Sequence, residues 1–497
     1  MKTAYVGQAG RLRPIGNRPG RCPHDTDVSA RSCAAIFLTL FLAPLLCQAA
    51  IPPSDWVPAR WPWRDAKSIE LLANSPINCL LLDAWSADLP SAAAGRGLVT
   101  LAVIAPQPDA AGVARRAIAS GVTGIVLEGD FPEGTAGAVK SAVGTAPVIE
   151  LTARSRMLFG NGAPILGTYQ GLWPGVAVQD DGAKRSGPSG SVWIDTNTGF
   201  LRAARAWGGA SIWIANRPPA KTIVTAARYQ QVIADAAASG ARWVIAFDDD
   251  LAARLARREA AAVRDLARIN TVAGYFERHP EWRRMREFGR LAIVQDPAKG
   301  GLLSGGILDM IAVKHTPVEP IPTQHLSPES LKDATMAVNV EGDGLSDQQK
   351  QILLNFAHSG GMLLTAPAGW KDQNPGGDRI TLDKAELDRL GEIWKEVNSM
   401  IGRRNLGVRL FNVSTMLSNV LASADGNTEI VQLVNYSDYP VEDVTVHYLG
   451  DFRRATLTSP DGAEKPLTPY ETEDGWGVDI DRVSVCATIR LEKLGNR

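Results

Sequence analysis

The sequence predicts a (β/α)8 TIM barrel, then an open α/β domain, then a C-terminal antiparallel β-sandwich. Three observations carry this. Between residues 56 and about 285, short apolar runs alternate with alanine-rich helical stretches, and eight βα units in about 230 residues is the size of such a barrel. Residues 286 to 405 repeat the strand-and-helix style on a smaller scale. Beyond 405 the period changes from helical to two, broken by Asp425-Gly426-Asn427, a hairpin signal.

The barrel strands are expected at Cys79–Leu82, Leu98–Ile104, Gly124–Leu127, Val148–Leu151, Ile165–Thr168 (or Val176–Val178), Val192–Ile194, Ser211–Ala215 and Trp243–Phe247. Helices are expected at 110 to 121, 198 to 209 and 229 to 240, each closed by glycine, which accepts the left-handed conformation at a helix end. The interval 152 to 190 is glycine-rich and reads either as a long loop or as an irregular unit. In the second domain, 290 to 296, Ala334–Val340 and Met362–Pro367 read as strands. Gly300–Lys314 and 346 to 361 read as helices, the latter capped by Ser346 or Asp347. The last strand is expected at 483 to 492.

Ahead of the barrel lies a targeting segment. A polar, arginine-bearing lead precedes an uninterrupted apolar stretch, Ala34–Leu46, followed by Cys47-Gln48-Ala49-Ala50. This is the pattern of a secretory signal peptide, 1–50, cleaved near Ala49 or Ala50, and it implies a secreted or periplasmic protein. A lipoprotein anchor at Cys47 is the rival, though Leu46 is large for the position before such a cysteine. The apolar run is short for a membrane span. The domains are then 51–285, 286–405 and 406–497.

The bulk numbers exclude several functions. The 497 residues carry 52 Lys+Arg against 53 Asp+Glu, so nothing points to nucleic acid. Past the leader only Cys79 and Cys486 remain, which excludes a disulfide framework and reads as two buried thiols. The six histidines are scattered, and no metal motif occurs. No cofactor is expected.

The order of parts resembles glycoside hydrolases of the β-galactosidase kind that carry a trimerisation domain. The match is carried by GLSDQQKQILLNFAHSGGMLLTAP (344 to 367), similar to the turn, helix, Gly-Gly, strand segment of that flavodoxin- or amidotransferase-like middle domain. NTEIVQLVNYSDYPVEDVTVHY (427 to 448) resembles the sandwich appended to many sugar-cleaving barrels. The resemblance implies a carbohydrate ligand and, through the middle domain, a homo-oligomer. Amidotransferase chemistry is excluded, because it needs a nucleophilic cysteine and none lies between Cys79 and Cys486, which leaves His315, His325 and His358 no thiol to activate. The family places an Asn-preceded acid/base Glu after the fourth strand and a nucleophile Glu after the seventh. The fourth expected strand here gives Ile149-Glu150-Leu151, and the seventh runs SIWIANRPP without an acid.

Barrel chemistry sits at the C-terminal strand ends, where loops converge. Those ends offer Asp83 and Trp85, Glu128 and Asp130, Glu150, Asp195 and Asn197, Asn216 and Arg217, and the triplet from Asp248 to Asp250. Glycoside hydrolysis needs two carboxylates, one protonated and one ionised. Glu128 and Asp195 are the expected catalytic pair, with roles within the pair open. Asp83, Trp85, Asp130, Glu150, Trp173, Asn197, Asn216, Arg217 and Asp248 are the expected substrate-binding set. Nine of the 13 Trp lie between 56 and 243, and Trp85 and Trp173 sit where a sugar ring could stack. Alternation aims Asp248 at the mouth, leaving Asp250 to cap the following helix and Asp249 in water. The alternatives are a sugar-binding or scaffold barrel that has lost its catalytic pair, and a metal-assisted hydrolase, which the histidine shortage disfavours.

Overall fold

The computed structural model describes residues 51–493, apart from 161, 174–175, 179–183, 187–195, 296–316, 341–343, 366–383, 403–404, 406 and 414. The apolar run 34–46, the expected helix 300–314, the expected strand 192–194 and Asp195 lie outside the described residues.

Eight parallel strands close into a barrel. They are β1 (Pro58–Arg60), β2 (Cys79–Leu82), β3 (Val99–Ile104), β4 (Gly124–Glu128), β5 (Val148–Thr152), β6 (Ile165–Thr168), β7 (Ser211–Ile214) and β8 (Ala241–Trp243 continuing as Ile245–Ala246). The two halves of β8 face opposite neighbours. Ala241–Trp243 pairs with β7, and Ile245–Ala246 pairs with β1, which seals the ring. Alternation along each strand sends one set of side chains inward. Cys79, Leu81, Leu101, Val126, Ile149, Leu151, Trp213 and Val244 fill the interior, so the barrel is packed and not a pore. The other set meets the alanine-rich helices, whose small side chains allow close approach.

Two expectations are corrected here. The first strand is Pro58–Arg60, three residues long and therefore too short to announce itself by period. And β6 pairs directly with β7, Ile165 opposite Ser211, so no strand stands between them in the barrel sheet. The two errors cancel in the count but shift the numbering. The fourth strand is Gly124–Glu128, and it ends in Glu128.

After the barrel, Leu291–Gln295, Val318–Pro322, Met336–Asn339 and Met362–Thr365 form a parallel four-stranded sheet. Val318–Pro322 escaped the pattern because Pro320 and Pro322 interrupt it. It lies at the sheet edge, where a missing N–H costs least. Helix Asp347–His358 is capped by Ser346, whose hydroxyl accepts from Gln349 N while the Gln349 side chain accepts from Ser346 N. The C-terminal region is two antiparallel sheets of six and four strands over a core that includes Val431, Leu433, Val446, Val478 and Ile489. Its six-stranded sheet recruits Arg286–Glu287 from the barrel exit, paired with Met416–Ala422. Cys79 and Cys486 are both buried free thiols. No helix among the described residues is long and apolar enough to cross a membrane.

Candidate functional site

The strand ends meet at the C-terminal mouth of the barrel, and four of them contribute to one cluster of charges. Arg60 ends β1 and is only 4% exposed. Its Nη1 donates to Asp83 just beyond β2 at 2.7 Å, and its Nη2 donates to Glu128 at the end of β4. Arg217, three residues past β7, reaches back across the mouth. It donates to both Asp83 oxygens at 3.1 and 2.8 Å and lies 3.6 Å from Glu128. Two guanidiniums and two carboxylates thus form a closed set.

The charges retune each other. Burial pushes the Asp83 carboxyl up, but hydrogen bonds and charge from Arg217 and Arg60 outweigh it and hold the group below its ordinary range. Asp83 in turn, with Glu128, raises Arg217 above its usual value against the pull of burial. Replacing Arg60 with Met should destabilise the fold by about 2 kcal/mol in urea unfolding, because the Glu128 carboxylate would keep only the longer Arg217 contact. An unchanged midpoint would show that this arginine does not hold the mouth together.

Beside the cluster opens a cavity of about 640 Å³, lined by Arg60, Asp83, Arg217, Lys221, Phe247 and Asp248 among others. Phe247 packs against Trp63, their rings 5.8 Å apart, and supplies an apolar wall. Lys221 holds a left-handed φ of 60° in the turn after Pro218-Pro219, a conformation non-glycine residues adopt rarely.

Asp248 differs in role from its expectation. Its side chain accepts from Asp250 N and Leu251 N at 3.0 and 3.1 Å, so it is the helix cap. Its other oxygen accepts from Tyr229 OH at 2.9 Å and Val224 N at 3.2 Å. Burial raises its carboxyl above the ordinary value despite those donors, and burial with the nearby Asp248 charge raises the Tyr229 phenol well above its own. The helix starts at Asp249, two residues earlier than expected, and Asp250 instead pairs with Arg254 at 3.3 Å.

The remaining expected residues are scattered. Glu150 sits on β5 between the inward-facing Ile149 and Leu151, so it points to the outer layer and pairs with Lys140 at 3.1 Å. Asp130 accepts from Ala153 N at 3.2 Å and Tyr169 OH at 3.3 Å and braces the loop. Trp85 is half-buried against the outer core. Trp173 is buried, its indole donating to Arg217 O at 2.9 Å and its ring edge-on to Trp243 and Tyr229. It therefore positions Arg217 and offers no open stacking face. Asn216 donates to Gly171 O at 2.6 Å. Asn197 is 1% exposed and joins Arg154, Leu172 and Asp235 in the interior. Arg60, Lys221 and Phe247 were missed. The pattern of WVPAR could have suggested Arg60, since a lone arginine inside an apolar run at a barrel start needs a partner.

The alpha-L-fucosidase isoenzyme 2 from Paenibacillus thiaminolyticus superposes on this chain with a TM-score of 0.55, covering 87% of this chain and 97% of that one at 9% identity. The chain shares that enzyme's overall fold, a barrel with appended sheets. The β-galactosidase from Rahnella sp. R3 also aligns, over 86% of this chain and 95% of its own, at 8% identity and a TM-score of 0.46. No protein-family model and no curated protein sequence matches the chain. At such identity the likeness speaks for the barrel and its appended sheets, and the mouth must be read from its own residues.

Proposed function

We propose that the barrel mouth binds a carbohydrate and does not cut it by the two-carboxylate route. The observation that carries this is the closed set of Arg60, Asp83, Arg217 and Glu128. Hydrolysis needs one carboxyl that keeps its proton and one free to attack or to activate water. Asp83 is held ionised and Glu128 accepts from Arg60 with the Arg217 guanidinium 3.6 Å away, while the end of β7 carries Arg217 where the resembled family carries its nucleophile. The same groups suit binding: the arginines donate to hydroxyls, the carboxylates accept from them, and Phe247 offers a face for C–H contacts. The apolar run at 34–46 supports export, and the middle sheet is the proposed place of subunit contact.

The hydrolase reading keeps one observation. Glu128 points inward at the end of the fourth strand, though Leu127 and not Asn precedes it. With Asp195 it remains the candidate pair. Calorimetry and reducing-sugar assays on one glycan panel separate the two readings. Binding without product is expected, weakened about tenfold or more in Arg217→Ala. Product release that disappears in Glu128→Gln would establish hydrolysis instead, and a panel with neither binding nor product would sink both.

A further inference from the structure

A second cavity, of about 960 Å³, lies where the barrel exit, the edge strand Val318–Pro322 and the sandwich strand Thr428–Asn435 come together; it shares no lining residue with the mouth. Its size is within the roughly 300–1,000 Å³ of small-molecule sites. Most of its charges are already spent. Arg286 pairs with Asp333 at 3.3 Å and Glu319 at 3.6 Å, and Lys332 bonds Glu329 at 2.5 Å. Asp425 is used by its own turn, accepting from Ser423 Oγ and Asn427 N.

Three lining groups are left over with no ion pair among the described residues, Glu429, Arg290 and Lys493, the last lying 5.3 Å over the Phe452 ring. Glu429 is only 9% exposed, and its carboxyl has neither a hydrogen bond nor an ion pair among the described residues. Burial pushes its carboxyl up to about 7 against the pull of Lys493, Arg286 and Arg290, so the cations lie close enough to be felt but not to bond. Arg290 has a long 3.4 Å hydrogen bond to Asn405 and, among the described residues, no carboxylate partner. A buried carboxyl without a partner costs about 1–3 kcal/mol or more, so such a group in a cavity wall is a place where a ligand gains.

The chemistry of the ligand follows from the pair. It must donate to Glu429 and accept from Arg290 within one small molecule. A net anion would gain from Arg290 and Lys493 but meet Glu429, and a net cation would face the reverse. We propose that this cavity binds a small neutral polyhydroxyl molecule between the Glu429 carboxyl and the Arg290 guanidinium. Hydroxyls serve because each is donor and acceptor at once. The site stands independently of the mouth.

The test is saturation-transfer NMR on the full chain in an Arg217→Ala background, which disables the mouth. The neutral probes are D-galactose, myo-inositol and glycerol, and the charged ones are D-galacturonate and D-glucosamine. Neutral probes should still bind, and adding Glu429→Gln or Arg290→Gln should weaken them about fivefold or more. Glu429→Gln keeps the shape and removes a buried carboxyl, so the fold should persist, with circular dichroism as the check. Absence of neutral-probe binding in the Arg217→Ala background overturns the proposal. So does binding indifferent to both added substitutions, or charged probes binding as tightly as neutral ones.

Discussion

Replacing Asp235 with Ala should cost about 3–5 kcal/mol in chemical unfolding, near the upper end for a single substitution. Asp235 lies on helix Ala226–Ala238, is 2% exposed, and is the common acceptor for two parts of the chain. Thr198 Oγ1 donates at 3.0 Å, Asn197 N and Nδ2 each at 2.9 Å, and Thr196 Oγ1 joins them. The phenol of Tyr436, from the sandwich, donates to the same carboxyl. Alanine would leave five donor contacts without their acceptor in a space water does not reach. The neighbouring Arg228, fully buried, reaches Tyr436 O at 2.7 Å and also bonds Asp438, so the barrel and sandwich share one polar seam. A double-mutant cycle with Tyr436→Phe should return a coupling of about 1–3 kcal/mol. A loss under about 1 kcal/mol for Asp235→Ala would mean that the seam is dispensable.

The second large effect depends on pH. Burial, helped by Asp333 and Glu287 against Arg286, raises Glu319 to about 7, and burial raises Glu429 to about 7, from an ordinary 4.5 in the unfolded chain. For an acid whose folded value is raised, the folded state holds the proton more tightly. Stability from these groups is therefore fully present below pH 4.5, falls as pH rises toward 7, and stays lost above it. The shift corresponds to about 3 kcal/mol for each carboxyl at most. Glu277 runs the other way. Burial pushes it up, but Arg242 and Arg283 hold it below its ordinary value, so its contribution is lost as pH falls. The clean measurement is thus a difference. The Glu319→Gln/Glu429→Gln double variant should gain on the wild type by several kcal/mol between pH 4.5 and 8. Parallel stability curves for the two proteins would contradict it.

How far the sequence reaches can be judged residue by residue. The long alternating strands of the sandwich and the capped helix Asp347–His358 were legible, because period and cap chemistry are local. Alternation puts Asp83 on the face of Leu81 and Glu128 on the face of Val126, but only the packed barrel shows that this face looks inward. Glu150 misled because nothing local says whether a strand-end acid faces the mouth or the helices; the buried neighbours Ile149 and Leu151 decide that. Asn197 looked like a mouth residue by spacing, but the approach of helix Ala226–Ala238 turned it into an interior bracket for Asp235 and Arg154. Trp173 looked like a sugar platform, and the packing of Trp243 and Tyr229 around it leaves its ring no free face.

By itself the sequence determined the barrel, the small parallel sheet and the sandwich, in that order, because hydrophobic period, glycine stops and turn residues act over a few positions. It also put the acids at the strand ends. Only the tertiary structure decided what those acids do. Arg60 and Asp83 are 23 residues apart and Asp83 and Arg217 are 134 apart, yet closure of the ring makes them contacts. Charge falls off steeply with distance in a partly dry mouth, so the state of each carboxyl depends on which arginine the fold places against it.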